Sequence, residues 1–144
     1  MREHMKGLEE ARAMARFSPD PSTQCGAVIL TPDGEKIGKG FNSFPLGCPG
    51  EHYHVREEKY PRVVHAEMAA LLGAWRHVEG AIMYVWPSLP CPRCAAHIAR
   101  MELSEVVAPY GVNDELFERM NGHLARQIFD ECDIGTVEVN LGRK

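Results

Sequence analysis

Four residues in two short segments can do chemistry together in this chain: His65 and Glu67 of His65-Ala66-Glu67, and Cys91 and Cys94 of Pro90-Cys91-Pro92-Arg93-Cys94. One imidazole, two thiols and a carboxylate make up a zinc site with three protein ligands, an open fourth position and a proton carrier beside it. His65, Cys91 and Cys94 are therefore expected to hold Zn2+. Two thiolates cancel the formal charge of the metal, so it acidifies a bound water less than a three-histidine site would. A carboxylate must then accept the proton, and Glu67, two residues from His65, reaches the metal's water without ligating. Glu67→Ala should keep the metal and lose turnover. A closed structural zinc with His97 or His52 as fourth ligand is the bland alternative, but it would leave Glu67 idle. A redox Cys-x-x-Cys pair would leave His65 and the flanking prolines unexplained.

The pattern around these residues says which elements position them. Residues three apart share a helix face, so a helix over 91–101 aims both sulfurs at one point. A second helix, over 65–75 and ending near Gly80 if it runs past Arg76, carries His65 and Glu67 in its first turn. Both motifs then sit at helix N-termini, where the backbone dipole favours thiolates. Ahead of them, residues 1–17 read as an amphipathic helix, closed by Ser18-Pro19-Asp20-Pro21-Ser22. Strands over 24–30 and 36–41 flank the turn Thr31-Pro32-Asp33-Gly34. Residues 42–61, with Pro45, Gly47, Pro49, Gly50 and Pro61, read as a long loop. Strands follow over 81–86 and 105–109. Asn113 caps a helix to about Glu131, with Leu116, Met120, Leu124 and Ile128 on one stripe, and a strand over 136–139 closes the sequence. The order α-β-β-α-β-α-β-α-β predicts an α/β fold. It is a mixed five-stranded sheet between two helical layers, with its last two strands parallel.

Composition bounds the function. A chain of 144 residues, 44% hydrophobic and 25% charged, suits one soluble domain spanning 1–144. No apolar run approaches the ~18 residues of a membrane span. The charged N-terminus shows no leader, so the cytoplasm is expected. A net charge of -4 disfavours nucleic acid and favours a small-molecule substrate. The odd count of 5 cysteines speaks against a disulfide framework.

The His-x-Glu and Pro-Cys-x-x-Cys pair resembles the zinc-dependent nucleobase deaminases. Three further segments narrow the likeness: Asp20-Pro21-Ser22-Thr23-Gln24, Gly40-Phe41-Asn42-Ser43-Phe44-Pro45-Leu46-Gly47 and Lys59-Tyr60-Pro61. Over residues 5–110 the sequence resembles the deoxycytidylate (dCMP) deaminase branch of the cytidine deaminase-like superfamily. The resemblance implies the three-layer α/β/α fold and hydrolysis of dCMP to dUMP with release of ammonia. It implies His65, Cys91 and Cys94 as zinc ligands and Glu67 as proton shuttle. It also implies Asn42 as a hydrogen-bonding partner of the sugar or base, and the backbone at Ala66 as a contact to the pyrimidine carbonyl.

A homo-oligomer is implied as well, and so is regulation by dCTP and dTTP; part of the apolar stripe over 113–131, with Trp75 or Trp86, is the candidate interface. Ser43 departs from the glycine common in relatives, in the loop tied to that regulation. Cys25, Cys48, His52 and His54 could hold the second, structural zinc of some relatives, but their spacing is irregular. A monophosphate needs cationic partners; Arg16, Lys39, Arg56, Lys59, Arg62 and Arg93 are the candidates, and spacing does not choose among them. The alternatives are deamination of CMP, of a modified dCMP or of tRNA adenosine, and a non-catalytic zinc or nucleotide-binding protein.

Overall fold

Strand residues alternate between two helical layers, and that alternation organises the molecule. The structure, a computed structural model, describes residues 2–142. Helix α1 (Arg2–Ala15) precedes strands β1 (Gly26–Leu30) and β2 (Lys36–Phe41). A 3-10 turn (Gly50–His54) and the short helix α2 (Arg56–Lys59) lead to α3 (Ala66–Leu72), β3 (Ile82–Trp86), α4 (Pro92–Arg100) and β4 (Glu105–Pro109). Helices α5 (Asp114–Arg119) and α6 (Gly122–Glu131) then lead to β5 (Gly135–Val139).

The five strands are ordered β2-β1-β3-β4-β5. Strand β1 runs antiparallel to β2 and β3, while β3, β4 and β5 are parallel, as expected for the last pair. Val28, Tyr84 and Val107 face α1 and pack with Leu8 and Ala11. Their neighbours Ile29, Met83, Val85 and Val106 face the other way and pack with Ala70, Ile98 and Phe129 of α3, α4 and α6. The central strands are buried on both faces, which is why they read as continuous apolar runs. Each such Ile, Leu or Phe stabilises the fold by ~1.5–3 kcal/mol. Among the described residues no helix is long and apolar enough to cross a membrane.

Close packing fixes the helix that carries His65 and Glu67. A Cβ on Gly40 would lie 2.6 Å from the Ala70 backbone nitrogen and 2.7 Å from the Ala66 carbonyl oxygen. Glycine on β2 therefore lets the α3 backbone seat directly on the sheet.

Three expectations are corrected. Helix α3 stops at Gly73 rather than reaching Trp75 or Gly80; Trp75 then donates its backbone N–H to the Ile37 carbonyl at 3.1 Å, tying the chain back to the sheet. Residues 42–61 contain the 3-10 turn and α2, each too short to show a helical period. The helix expected over 113–131 is two helices. Asn113 caps α5 as expected, its side chain accepting from the Leu116 N–H. Asn121, in the left-handed region at φ 58°, then ends the run and caps α6 through the Leu124 N–H. The break rotates the second stripe: Ala125 and Phe129 are buried, whereas Leu124 is 40% exposed.

Candidate active site

The two motifs meet at the facing N-termini of α3 and α4. His65 and Cys91 stand in extended conformation just ahead of their helices, Pro92 opens α4, and Glu67 and Cys94 lie within the first turns. His65 Nδ1 is 3.6 Å from Cys91 Sγ and 3.3 Å from Cys94 Sγ. All three donor atoms lie within 4.8 Å of one another. A tetrahedral zinc with ordinary Zn–S and Zn–N bonds separates N and S donors by ~3.6 Å, so this donor set fits the metal. No other group of three such donors occurs among the described residues. His97 Nδ1 is turned to the Arg93 carbonyl at 2.7 Å, and His52 Nδ1 to Glu58 Oε1 at 2.9 Å. Cys25, Cys48, His52 and His54 are not gathered into a cluster.

The electrostatics favour a charged sulfur. Hydrogen bonds from Cys94 and then His65 hold the Cys91 thiol well below its usual range, and the bond to Cys91 raises the His65 imidazole. Glu67 is buried; desolvation pushes its carboxyl up, partly offset by the charge of His65, and it contacts Cys94. A carboxyl with that environment holds a proton more readily than one in water.

A cavity of about 230 Å³ opens beside these groups, with His65, Ala66, Glu67 and Cys91 in its wall. Ala66 is fully buried at the first position of α3, where backbone N–H groups have no intrahelical acceptor. Asn42 lines the cavity too, but its side chain is occupied by the protein. Its Oδ1 accepts from the Cys25 N–H at 2.8 Å, and Nδ2 donates to the Thr23 carbonyl at 2.9 Å and to Asp20 Oδ2 at 3.4 Å. One lone pair of Oδ1 is left for a further donor.

Of the six cations considered for a phosphate, Arg56 and Lys59 line the cavity, whereas Arg16, Lys39, Arg62 and Arg93 do not. Lys59 is held by Asp20. Trp86 also lines the cavity and lies under Arg12, whose guanidinium carbon is 5.2 Å from the ring centroid. Trp75, 57% exposed, is the tryptophan left on the outer surface.

Sequence reasoning missed Tyr53, Ser88 and Arg119, all in the cavity wall. The Tyr53 hydroxyl accepts from the Phe44 N–H at 2.7 Å, and the two rings stack at 3.7 Å, fastening residues 50–54 to the loop after β2. For Arg119 a signal existed: Asn121-Gly122 is a break marker that would have ended α5 beside it.

Comparison with known proteins follows the same lines. The family model for the cytidine and deoxycytidylate deaminase zinc-binding region matches residues 1–109. The chain is 40% identical over 110 residues to an uncharacterized deaminase in the luxG 3' region of Aliivibrio fischeri, covering 76% of this chain and 74% of that one. It is 32% identical over 128 residues to the deoxycytidylate deaminase of Homo sapiens, covering 83% and 70% of the two chains. The crystal structure of the dCMP deaminase from cyanophage S-TIM5 in complex with dCMP and dUMP has a TM-score of 0.73 at 19% identity, covering 94% and 95%. This last likeness bears on the fold alone.

Proposed function

The chain belongs to the cytidine and deoxycytidylate deaminase family, and on that premise we propose that it hydrolyses dCMP to dUMP and ammonia. The observation that carries this reading is the convergence of His65 Nδ1, Cys91 Sγ and Cys94 Sγ beside the buried Glu67, in the wall of one cavity.

His65, Cys91 and Cys94 would hold zinc, whose Lewis acidity supplies a nucleophile at neutral pH when it is bound. In this reading the Glu67 carboxylate takes the proton that the attacking water gives up and delivers a proton to ring nitrogen N3. It then carries a proton to the departing amine. The C4–O bond forms and the C4–N bond breaks, so one water is consumed and one ammonia leaves. The buried wall at Ala66 offers its backbone to the pyrimidine carbonyl, and Asn42 offers its remaining Oδ1 lone pair to a sugar hydroxyl. Tight packing of α3 on β2 at Gly40 holds both ends of this arrangement.

Residues 1–144 act in this proposal as one catalytic unit, cytoplasmic and homo-oligomeric, with exposed Leu72 at the end of α3 and Trp75 just after it as the apolar surface that supports association. An ammonia-release assay across dCMP, CMP, deoxycytidine and single-stranded DNA tests the reading. dCMP should be turned over fastest, and no ammonia from any of the four would end it. Adding dCTP or dTTP to the same assay tests the triphosphate response.

A further inference from the structure

The cavity contains a charge pattern that the chemistry at Glu67 does not use. Its wall holds two carboxylates, Asp20 and Glu67, and three permanent cations, Arg56, Lys59 and Arg119. Lys59 is neutralised by Asp20 at 3.2 Å. Among the described residues neither Arg56 nor Arg119 has a carboxylate partner. Two uncompensated guanidiniums therefore line a cavity in a chain whose net charge is -4. Local charge opposite in sign to the whole is a selector for an anion.

The two arginines come from different elements. Arg56 opens α2, and its guanidinium carbon sits 5.8 Å from the centroid of the Tyr60 ring, which also lines the cavity, a contact that steadies it there. Arg119 is the last residue of α5, and its charge is felt by the thiol of Cys25 on the inner wall. The helical run breaks two residues later at Asn121; Leu116 of the same short helix and Met120 just after it line the cavity with Arg119. Arg119 also lies outside residues 1–109, the part matched by the zinc-binding family model.

We propose that Arg119, together with Arg56, grips the 5′-phosphate of the substrate and makes this site select a nucleoside monophosphate over the nucleoside. The assignment rests on the cytosine-nucleotide reading of the site and adds the residues that enforce it. A guanidinium presents a planar fork that suits two phosphate oxygens, and each charge-assisted bond of this kind is worth ~10- to 100-fold in affinity. Lys59, held by Asp20, is a strut rather than a phosphate ligand.

The test compares wild type, Arg119→Gln and Arg119→Lys. It reads the ratio of kcat/KM for dCMP to kcat/KM for deoxycytidine, and the ratio of affinities for dUMP and deoxyuridine by calorimetry. Arg119→Gln should lower both ratios by ~10- to 100-fold, chiefly through KM. Arg119→Lys, keeping the charge without the fork, should recover part of each ratio, and Arg56→Gln should lower both in the same direction. Parallel losses on nucleotide and nucleoside, which a merely structural arginine would give, overturn the proposal, as does an unmoved ratio. If the wild type releases no ammonia from any cytosine substrate, the reading of function fails and this assignment with it. If the wild type does release ammonia while Arg119→Gln leaves the ratios unmoved, only the assignment falls.

Discussion

Lys59 Nζ lies 3.2 Å from Asp20 Oδ2, with 14% of the lysine side chain and 4% of the aspartate side chain exposed. That one carboxylate also accepts from the Ser22 N–H at 2.9 Å and from Asn42 Nδ2 at 3.4 Å. It thereby joins α2, the loop after α1 and the end of β2 at the cavity wall. Removing one partner of a buried ion pair strands the other without its charge, at a cost of ~3 kcal/mol. Lys59→Met should therefore lower stability by about that amount in urea titration, and raise KM more than it lowers kcat. Wild-type stability together with wild-type KM would show that the pair holds nothing in place.

Glu67→Gln preserves the shape of the buried side chain and removes the group that carries protons. Ammonia release should fall by ~10²- to 10⁴-fold, while elemental analysis still finds zinc bound to the chain. Turnover within a few-fold of wild type would assign the proton transfer elsewhere.

The donor set of two thiols and one imidazole prefers soft or borderline ions over hard ones. Chelation should lower the melting temperature by several degrees, and Zn2+ but not Mg2+ should restore it, because the ion binds the folded arrangement in preference to the unfolded chain. Cys91→Ser should blunt this response. Melting curves that ignore both chelator and zinc would count against a metal at these residues.

Much of this molecule is legible from sequence where the signal is local. The central strands announce themselves as β-branched runs because both their faces are covered. The site residues are visible because His65 with Glu67, and Cys91 with Cys94, each sit within about one helical turn. The strut is not, since Asp20 and Lys59 are 39 residues apart and neither neighbourhood specifies the other. Arg119 was hidden for a different reason. The four-residue spacing of Leu116, Met120, Leu124 and Ile128 reads as one helix, whereas the fold breaks it at Asn121-Gly122. The turns inside 50–59 were too short for any period to appear.

Cys25 lines the cavity, and burial, then the charges of Glu67 and Asp20, push its thiol up to about 12. At pH 8 its thiolate fraction is lower than that of an ordinary thiol by ~1,000-fold. Iodoacetamide should label the exposed Cys132 first and leave Cys25 unmodified in the folded protein. The linkage has a definite sign. Between pH 9 and pH 12 the unfolded chain loses this proton and the folded chain keeps it, so stability should fall as pH rises through that window. Cys25→Ala should remove that slope, and rapid labelling of Cys25 at pH 8 would contradict the raised thiol.

The break between α5 and α6 gives the last prediction. Asn121 adopts φ 58° and its side chain accepts from the Leu124 N–H. Gly122 follows with the Phe117 ring so close that an added Cβ would lie 2.2 Å from it. Asn121→Ala loses the cap and takes on the left-handed backbone penalty, together ~2 kcal/mol. Asn121→Gly gives up the cap alone, at a few tenths of a kcal/mol, because glycine adopts this conformation freely. If the break is what aims Arg119 into the cavity, Asn121→Ala should also raise KM for dCMP more than for deoxycytidine, and Asn121→Gly should stay near wild type on both. Equal stability of the two variants in urea would mean that the left-handed turn is not under the strain its φ implies.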